Sequence, residues 1–160
     1  MRLHEYQAKQ LFHKYEIPIP KGQVTTNAES ARLIAESIGG KCVIKAQILA
    51  GGRGKAGGIR VANTSQEARE LATHIMGLNI HGMRVHKVLV EEAVKIQHEI
   101  YLAISIDREN AQPILIASSS GGVDIEETAE VRPDSIQKIP IDPLIGIRAF
   151  HAQRLTGWLD

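Results

Sequence analysis

The chain has 160 residues, of which 43% are hydrophobic and 23% charged, and this predicts one globular domain or one lobe of a larger one. A formal net charge of +1 excludes the broad basic surface of a nucleic-acid-binding protein. A single cysteine, Cys42, excludes a disulfide framework and fits a reducing compartment. No apolar run approaches the length of a membrane span, and no secretory signal opens the chain.

Three amphipathic helices are predicted in the first half of the chain. Each carries apolar residues at i, i+3, i+4 and i+7, which form one stripe along a helix. The stripes are Ala8, Leu11, Phe12 and Tyr15; Ala31, Ile34, Ala35 and Ile38; and Ala68, Leu71, Ala72 and Ile75. Capping boxes at Thr26-x-x-Glu29 and Thr64-x-x-Glu67 are expected to begin the second and third helices. Residues 147–158 also read as helical, with Phe150 and Leu155 as expected anchors.

Apolar runs alternate with these helices and predict strands. The expected strands are 42–48, 59–62, 87–92, 99–107, 112–118 and, less regular in pattern, 136–141. The polar turn at 108–111 joins two of them as an antiparallel hairpin. The order of helix, βα units and hairpin predicts an α+β fold with a mixed sheet.

The most informative segment is a loop that follows the strand at residue 42. Residues 51–58 read GGRGKAGG, with five glycines and the cations Arg53 and Lys55 in eight positions. Glycines allow close approach of the backbone to a ligand, and successive N–H groups can form an anion-binding nest. Lys45 precedes the loop by six residues on the strand. Three cations beside such a nest favour a polyphosphate ligand.

Three other kinds of loop share features with this segment. A Walker A loop needs Ser or Thr after its lysine, whereas Lys55 is followed by Ala56. The spacing Gly52-x-Gly54-x-x-Gly57 matches a dinucleotide fingerprint, but that fingerprint must open a helix, and here a strand pattern follows. A solvent-exposed hairpin with glycines for turn geometry remains open, and Lys45 would then be a solvated strand lysine.

Two glutamates extend the candidate site. Glu91 ends the strand VLVEE, and Glu99 begins the next one. Carboxylates at such strand ends can contact an adenine amine or ribose hydroxyls. Taken alone, each is more often surface charge.

Several long motifs together resemble a known family. LHEYQAKQLF, VIKAQ-x-x-AGGRGKAGG, VLVEEA, EIYLAISIDR, SGGVDIEE and DPLIG are similar to the β subunits of the succinate–CoA ligase (succinyl-CoA synthetase) family. The resemblance runs in register from residue 2 to about residue 157. It implies the N-terminal part of an ATP-grasp domain, with amphipathic helices packed on mixed and antiparallel sheets. We expect residues 1–160 to be the front part of a longer polypeptide.

The resemblance also implies functional residues. Lys45, Gly52, Arg53 and Gly54 match the contacts of that family with nucleotide phosphates, Glu91 and Val94 match positions near the base, and Glu99 matches the ribose-side carboxylate. The implied reaction interconverts succinate, CoA and ATP with succinyl-CoA, ADP and phosphate, in the tricarboxylic acid cycle. The implied phosphohistidine lies on an α subunit, so the seven histidines here are expected to be ordinary surface or helix residues.

Further expectations concern cofactor, compartment and substrate. The resemblance implies Mg²⁺ with ligands beyond residue 160, and a cytoplasmic location in bacteria or the mitochondrial matrix in eukaryotes. The piece alone is expected to be inactive, with no catalytic residue of its own. The resemblance also implies a preference for adenine over guanine, since Pro20 lies in the connector near the base side. Leu49, at a position where the family often has histidine, and the Ser118–Ser120 run depart from the family. A malate–CoA ligase β subunit or a non-catalytic nucleotide-binding module therefore remains an alternative.

Overall fold

The structure is a computed structural model, and it describes residues 2–123 and 125–159. The chain divides into two compact units, Met1–Lys95 and Ile96–Asp160. Each unit has its own hydrophobic core and is described separately.

The first unit is built on a four-stranded antiparallel sheet. Its helices are α1 (Glu5–Lys14), α2 (Ala28–Ser37) and α3 (Ser65–Met76). Its strands are β1 (Gly22–Thr25), β2 (Cys42–Ala46), β3 (Ile59–Ala62), the two-residue pair β4 (Asn79–Ile80) and β5 (Met83–Arg84), and β6 (Val88–Glu92). The sheet order is β1-β6-β2-β3, and β4 and β5 pair separately.

One face of the large sheet carries the core of the first unit. Because side chains alternate along a strand, Cys42, Ile44 and Ala46 share a face with Val88 and Val90, and all five are fully buried. The stripes of α2 and α3 pack on this face through alanines that allow close approach. The predicted packing of the second and third helices is therefore confirmed. The opposite face carries Lys45 and Glu91.

The helix beginnings were predicted correctly in one case and wrongly in the other. Thr64 caps α3, since its hydroxyl accepts the Glu67 N–H at 3.1 Å. At α2 the cap is Asn27 and not Thr26: the Asn27 Oδ1 accepts from the N–H groups of Glu29 and Ser30, at 2.8 and 3.1 Å. An amide oxygen one residue closer to the helix reaches these donors more directly.

Helix α1 forms at the predicted place, but its apolar stripe is not packed. No residue of α1 is buried, and Leu11, Phe12 and Tyr15 are 47, 49 and 73% exposed. The expectation that this helix packs its apolar face on a sheet is therefore wrong for the described residues. The described polar contacts that hold α1 come from Glu5, Tyr6 and Lys9.

The second unit contains a three-stranded antiparallel sheet. Its elements are β7 (Tyr101–Asp107), β8 (Gln112–Ser118), α4 (Ile125–Val131), a 3₁₀ turn (Pro133–Ser135), β9 (Ile136–Pro140) and α5 (Ala149–Leu159), with strand order β7-β8-β9. The predicted hairpin is confirmed, with Asp107 opposite Gln112. Its core comprises Leu115, Ala117, Ile139, Ile141 and Leu155.

One predicted anchor of α5 is wrong. Leu155 is buried as expected, but Phe150 is 58% exposed, and His151 takes the inward position. The His151 Nδ1 accepts the Arg148 N–H at 2.9 Å, which satisfies this buried ring nitrogen.

The α+β class is confirmed, but the sheet is not mixed. Every strand pair among the described residues is antiparallel. None of the described helices has both the length and the apolar character needed to cross a lipid bilayer.

Candidate functional site

The candidate site is centred on Lys45 and Glu91. Val43 lies opposite Glu91 across the β2–β6 pair, so Lys45 is the diagonal neighbour of Glu91 on the same face. The Lys45 ammonium pairs with Glu91 Oε1, and Lys9 of α1 pairs with Glu91 Oε2. Glu91 is 3% exposed, and its two oxygens are each neutralised by a lysine. Its carboxylate therefore holds Lys45 in position.

Gly22 makes room for this pair on the neighbouring strand. It lies directly opposite Glu91 in the β1–β6 pair. A Cβ at this position would overlap the Glu91 backbone and Cβ, at 2.7 and 2.6 Å. A glycine is therefore required for β1 to approach β6 beside the site.

Glu5 links α1 to two cations of the first unit. Its Oε1 lies 3.1 Å from the Lys45 ammonium, and its Oε2 lies 2.8 Å from Arg53 Nη2. Burial alone would raise the pKa of Glu5, but the charges of Lys45 and Arg53 outweigh burial and lower this pKa to about 2. Glu5 is therefore an anion at neutral pH.

Lys45 is a stable cation in this setting. Burial alone would lower the pKa of Lys45, but its hydrogen bond to Glu91 and the charge of Glu5 raise the pKa above the ordinary value. Lys45, Arg53, Lys9, Glu5 and Glu91 together form the cation cluster of the first unit, with three positive and two negative charges.

The glycine loop joins β2 to β3 and directs Arg53 toward this cluster. The Arg53 Nη1 donates to the Ala46 carbonyl at 2.8 Å, and the Arg53 carbonyl accepts the Gly58 N–H at 2.8 Å. The loop therefore connects two antiparallel strands, which excludes the dinucleotide fingerprint because no helix follows it. Lys55 of the loop is exposed, and Lys9 of α1 is the third cation of the cluster.

The glycines of the loop have different roles. Gly52 has φ +68°, a conformation that favours glycine, whereas Gly54 is outside this region. Positive φ therefore does not explain Gly54, contrary to expectation. Among the described residues, no backbone or side-chain group accepts from the N–H groups of Gly52, Arg53 or Gly54. Three consecutive amides beside two cations can bind an anion.

Two cavities flank the cation cluster within the first unit. One, of about 330 Å³, lies between α1, the connector and the sheet. Its lining includes Tyr6, Lys9, Pro20, Leu89 and Glu91. The other, of about 420 Å³, lies between the start of α1 and the glycine loop, and Arg2, Glu5, Gly51 and Arg53 line it. The first has the mixed apolar and polar lining of a small-molecule pocket, and the second is more basic.

Two further predicted residues, Val94 and Glu99, follow β6 in the chain. Val94 is exposed and follows the end of β6. Glu99 belongs to the second unit, where its carbonyl accepts the Gly121 N–H at 2.9 Å. A Cβ on Gly122 would overlap the Glu99 carboxylate, so this glycine lets the side chain lie against the turn. The structure thus brings Lys45, Arg53 and Glu91 together, with Gly52 and Gly54 beside them.

Sequence reasoning missed two charged residues and one amide of the site. Glu5 and Lys9 lie on the polar side of α1, and the buried Gln47 accepts the Tyr6 N–H at 3.2 Å. The sequence did contain a signal for these two charged residues. Glu5 and Lys9 are spaced i, i+4, so they are neighbours on α1, and neither belongs to its apolar stripe. Only the three-dimensional structure shows that they pair across the chain with Lys45, Arg53 and Glu91.

Comparison with known proteins identifies the fold family. The family model described as an ATP-grasp domain matches residues 2–159. The chain belongs to the ATP-grasp domain family. A crystal structure of PH1788 from Pyrococcus horikoshii Ot3 agrees with this fold, with a TM-score of 0.75, 19% identity, and coverage of 95% of this chain and 62% of that one.

Two curated relatives of this ATP-grasp chain are named as β subunits of succinate–CoA ligases. The "Succinate–CoA ligase [ADP-forming] subunit beta" of Pyrobaculum arsenaticum is 49% identical over 159 residues, which are 99% of this chain and 42% of the relative. The "Succinate–CoA ligase [GDP-forming] subunit beta" of Thermus thermophilus is 50% identical over 156 residues, 98% of this chain and 41% of the relative. The ATP-grasp chain therefore spans less than half the length of these relatives.

The described residues of the ATP-grasp chain do not fit a magnesium site. No group of three His, Cys, Asp or Glu side chains comes together within residues 2–123 and 125–159. The carboxylates of the cluster, Glu5 and Glu91, are occupied by lysine and arginine. Mg²⁺ prefers several free oxygen ligands, which this cluster does not offer.

Proposed function

We propose that this chain is the nucleotide-binding front part of the β subunit of an ADP-forming succinate–CoA ligase. The complete enzyme would interconvert succinate, CoA and ATP with succinyl-CoA, ADP and phosphate, through a phosphohistidine on an α subunit. The observation that carries the proposal is the pair Lys45 and Arg53, held beside three unpartnered amides at Gly52–Gly54. The names of the relatives support the substrate assignment.

Each residue has a proposed role in binding the nucleotide. Lys45 and Arg53 neutralise the phosphates, and the N–H groups of Gly52 and Gly54 bind phosphate oxygens. Glu91 and Val94 lie beside the base, and Glu99 accepts hydrogen bonds from the ribose. The cavity lined by Pro20, Leu89 and Glu91 supports a base-binding role for this side of the sheet. Catalysis would then rest on positioning and charge neutralisation.

We also propose that residues 1–160 are the N-terminal part of a longer ATP-grasp domain. An exposed apolar face on the second unit supports this. Leu102, Ile104 and Ile106 of β7 share one sheet face and are 58, 62 and 63% exposed. A face of this kind is normally covered in a folded protein. The complete protein would contribute the Mg²⁺ ligands, function with an α partner, and lie in the cytoplasm of a bacterium or in the mitochondrial matrix of a eukaryote.

The adenine preference stays a prediction, because the relatives include both ADP-forming and GDP-forming proteins. The malate–CoA ligase alternative shares the nucleotide site and differs only in the acyl substrate. A direct assay of the full-length protein with its partner, using succinate and malate in parallel, separates the two. Turnover with malate but not with succinate would identify malate as the acyl substrate. No turnover with either acid, despite ADP binding, would favour the non-catalytic module.

The nucleotide site itself is tested by calorimetric titration of the chain with ADP and ATP. Lys45→Ala and Arg53→Ala should each weaken binding by about 1.5–3 kcal/mol, the range for a hydrogen bond to a charged group. Lys41→Ala, at an exposed position just before β2, is the matched control and should bind as the wild type does. Unchanged affinity in both site variants would refute the assignment.

A further inference from the structure

Helix α1 is held to the first unit by charge and not by burial. It has no buried residue, and Leu11 and Phe12 of its apolar stripe are 47 and 49% exposed. Those contacts are Glu5 with Lys45 and Arg53, Lys9 with Glu91, and the Tyr6 N–H with Gln47. Such an attachment is weakened by any competing ion, because it lacks the apolar area that would hold the helix in place.

The partners of Glu5 are the same two cations that the proposed function assigns to nucleotide phosphates. Each has a second anchor within the first unit that does not involve α1. Lys45 pairs with Glu91, and the Arg53 Nη1 donates to the Ala46 carbonyl. Glu5 is therefore not needed to position either cation.

The contact of Glu5 with Arg53 is also incomplete. Glu5 Oε2 lies 2.8 Å from Arg53 Nη2, but this buried oxygen has no hydrogen-bond donor in suitable geometry among the described residues. A buried carboxylate oxygen without a donor loses solvation that the ion pair only partly replaces. A phosphate group has more charge and more acceptor oxygens to offer the same two cations.

We propose that Glu5 is an internal competitor for the nucleotide phosphates, and that nucleotide binding displaces Glu5 and releases the first turn of α1. This inference rests on the proposed nucleotide site and concerns its regulation. In the free chain Glu5 occupies the phosphate-binding cations. The apparent affinity for nucleotide is then reduced by the fraction of molecules in which Glu5 is bound.

The test measures ADP affinity and α1 exchange in matched variants of this chain. Glu5→Gln removes the competing charge, and Glu70→Gln, at an exposed position on α3, removes the same charge elsewhere. We expect Glu5→Gln to bind ADP about fivefold more tightly or better, because the competing state is lost. Glu70→Gln should bind as the wild type does. Glu5→Gln with equal or weaker affinity than the wild type would overturn the inference.

A second readout follows α1 directly by hydrogen exchange. In the wild type, ADP should accelerate exchange of the amides of Tyr6 and Ala8, which are bonded to Gln47 and His4 in the free chain. Slower exchange of these amides with ADP would mean that the ligand orders α1, and would overturn the inference.

The outcomes separate this inference from the proposed function. One outcome supports the nucleotide site but refutes the competition by Glu5. In that outcome the wild type binds ADP, Lys45→Ala does not bind it, and Glu5→Gln has the same affinity for ADP as the wild type. If Lys45→Ala and Arg53→Ala bind ADP as the wild type does, or if no protein binds it, the nucleotide site is wrong and the inference falls with it.

Discussion

Lys45 and Glu91 are diagonal neighbours on two antiparallel strands, and their ion pair lies on the sheet face opposite the hydrophobic core. Glu91 is buried, so its charge depends on Lys45 and Lys9 for compensation. The same pair that prepares a cation for a ligand therefore also contributes to the stability of the sheet.

Replacing Lys45 with methionine should lower the free energy of unfolding. Glu91 would keep only Lys9, and an incompletely paired buried charge costs about 1–3 kcal/mol. The double variant Lys45→Met/Glu91→Leu should recover much of this loss, because the buried carboxylate that Lys45 neutralises is then removed as well. Urea unfolding followed by circular dichroism measures both, with the exposed Lys41→Met as control. A double variant less stable than Lys45→Met would contradict this account.

The Glu5 ion pairs should stabilise the chain in a defined pH range. The surrounding cations lower the pKa of Glu5 from 4.5 to about 2. Their contribution is therefore complete above pH 4.5 and is lost as the pH falls toward 2. A shift of this size corresponds to roughly 2–3 kcal/mol in a partly buried setting.

Urea unfolding of the wild type and of Glu5→Gln at several pH values tests this. The difference between their free energies of unfolding should be largest at neutral pH and should shrink steadily as the pH falls toward 2, where about half of the Glu5 side chains in the folded chain are protonated. Taking the difference cancels the titration of the other carboxylates. If the free energies of unfolding of the wild type and Glu5→Gln differ by the same amount from pH 6 to pH 2, the ionised form of Glu5 does not stabilise the fold.

Alanine at Gly52 and at Gly54 should have different effects on stability. Gly52→Ala forces a side chain into φ +68°, which costs about 1–2 kcal/mol, and its Cβ would lie 3.4 Å from His81 Nε2. Gly54→Ala meets only the Ile59 Cδ1 at 3.9 Å and should leave stability unchanged.

Both positions carry amides of the proposed phosphate site, so Gly52→Val and Gly54→Val should both abolish ADP binding. At Gly54 the loss would report blocked approach of the ligand and not strain. Thermal unfolding and ADP titration on the same samples separate these effects. Normal ADP binding by both valine variants would show that the loop does not bind phosphate, and would favour its interpretation as a solvent-exposed hairpin.

Cys42 should be unreactive in the folded chain. Its side chain is fully buried, and burial, assisted by the charge of Glu67, raises the pKa of the thiol to about 11. Labelling with a thiol reagent at pH 8 should be slow in buffer and fast in urea. Glu5→Gln should label as slowly as the wild type, because α1 lies on the other face of the sheet. Fast labelling of that variant would mean that release of α1 opens the core.

Local sequence patterns were sufficient for most of the secondary structure. The strands at β2, β3, β6, β7 and β8 alternate apolar and polar residues or are continuously apolar, and each forms within two residues of its predicted bounds. Strand β1 was missed because Gly22–Thr25 contains one large apolar residue, and the pairing with β6 decides its conformation. Helix α4 was missed because its apolar residues are few.

The site was predictable only where its residues lie close together in the chain. Lys45 and the glycine loop form one continuous segment, and that segment could be interpreted from residue chemistry alone. Glu5 and Lys9 meet it through pairs that span much of the first unit, and no local pattern encodes such pairs. Phe150 and His151 are a second case that local patterns could not decide. Only one of these adjacent residues can face the core of the second unit, and packing buries His151 and leaves Phe150 exposed.

The strand order of the first unit has a consequence for the sequence of folding events. Strands β2 and β3 are joined by the glycine loop and can pair early, since their contacts are local. Strand β1 pairs with β6, and Thr25 lies opposite Val88 in this pair. The two strands are far apart in the sequence, so their pairing closes a long loop. Closing so long a loop is entropically costly and is expected to come late. We therefore expect the glycine loop to form before β1 joins the sheet, and we expect α1, which has no buried residue, to dock last.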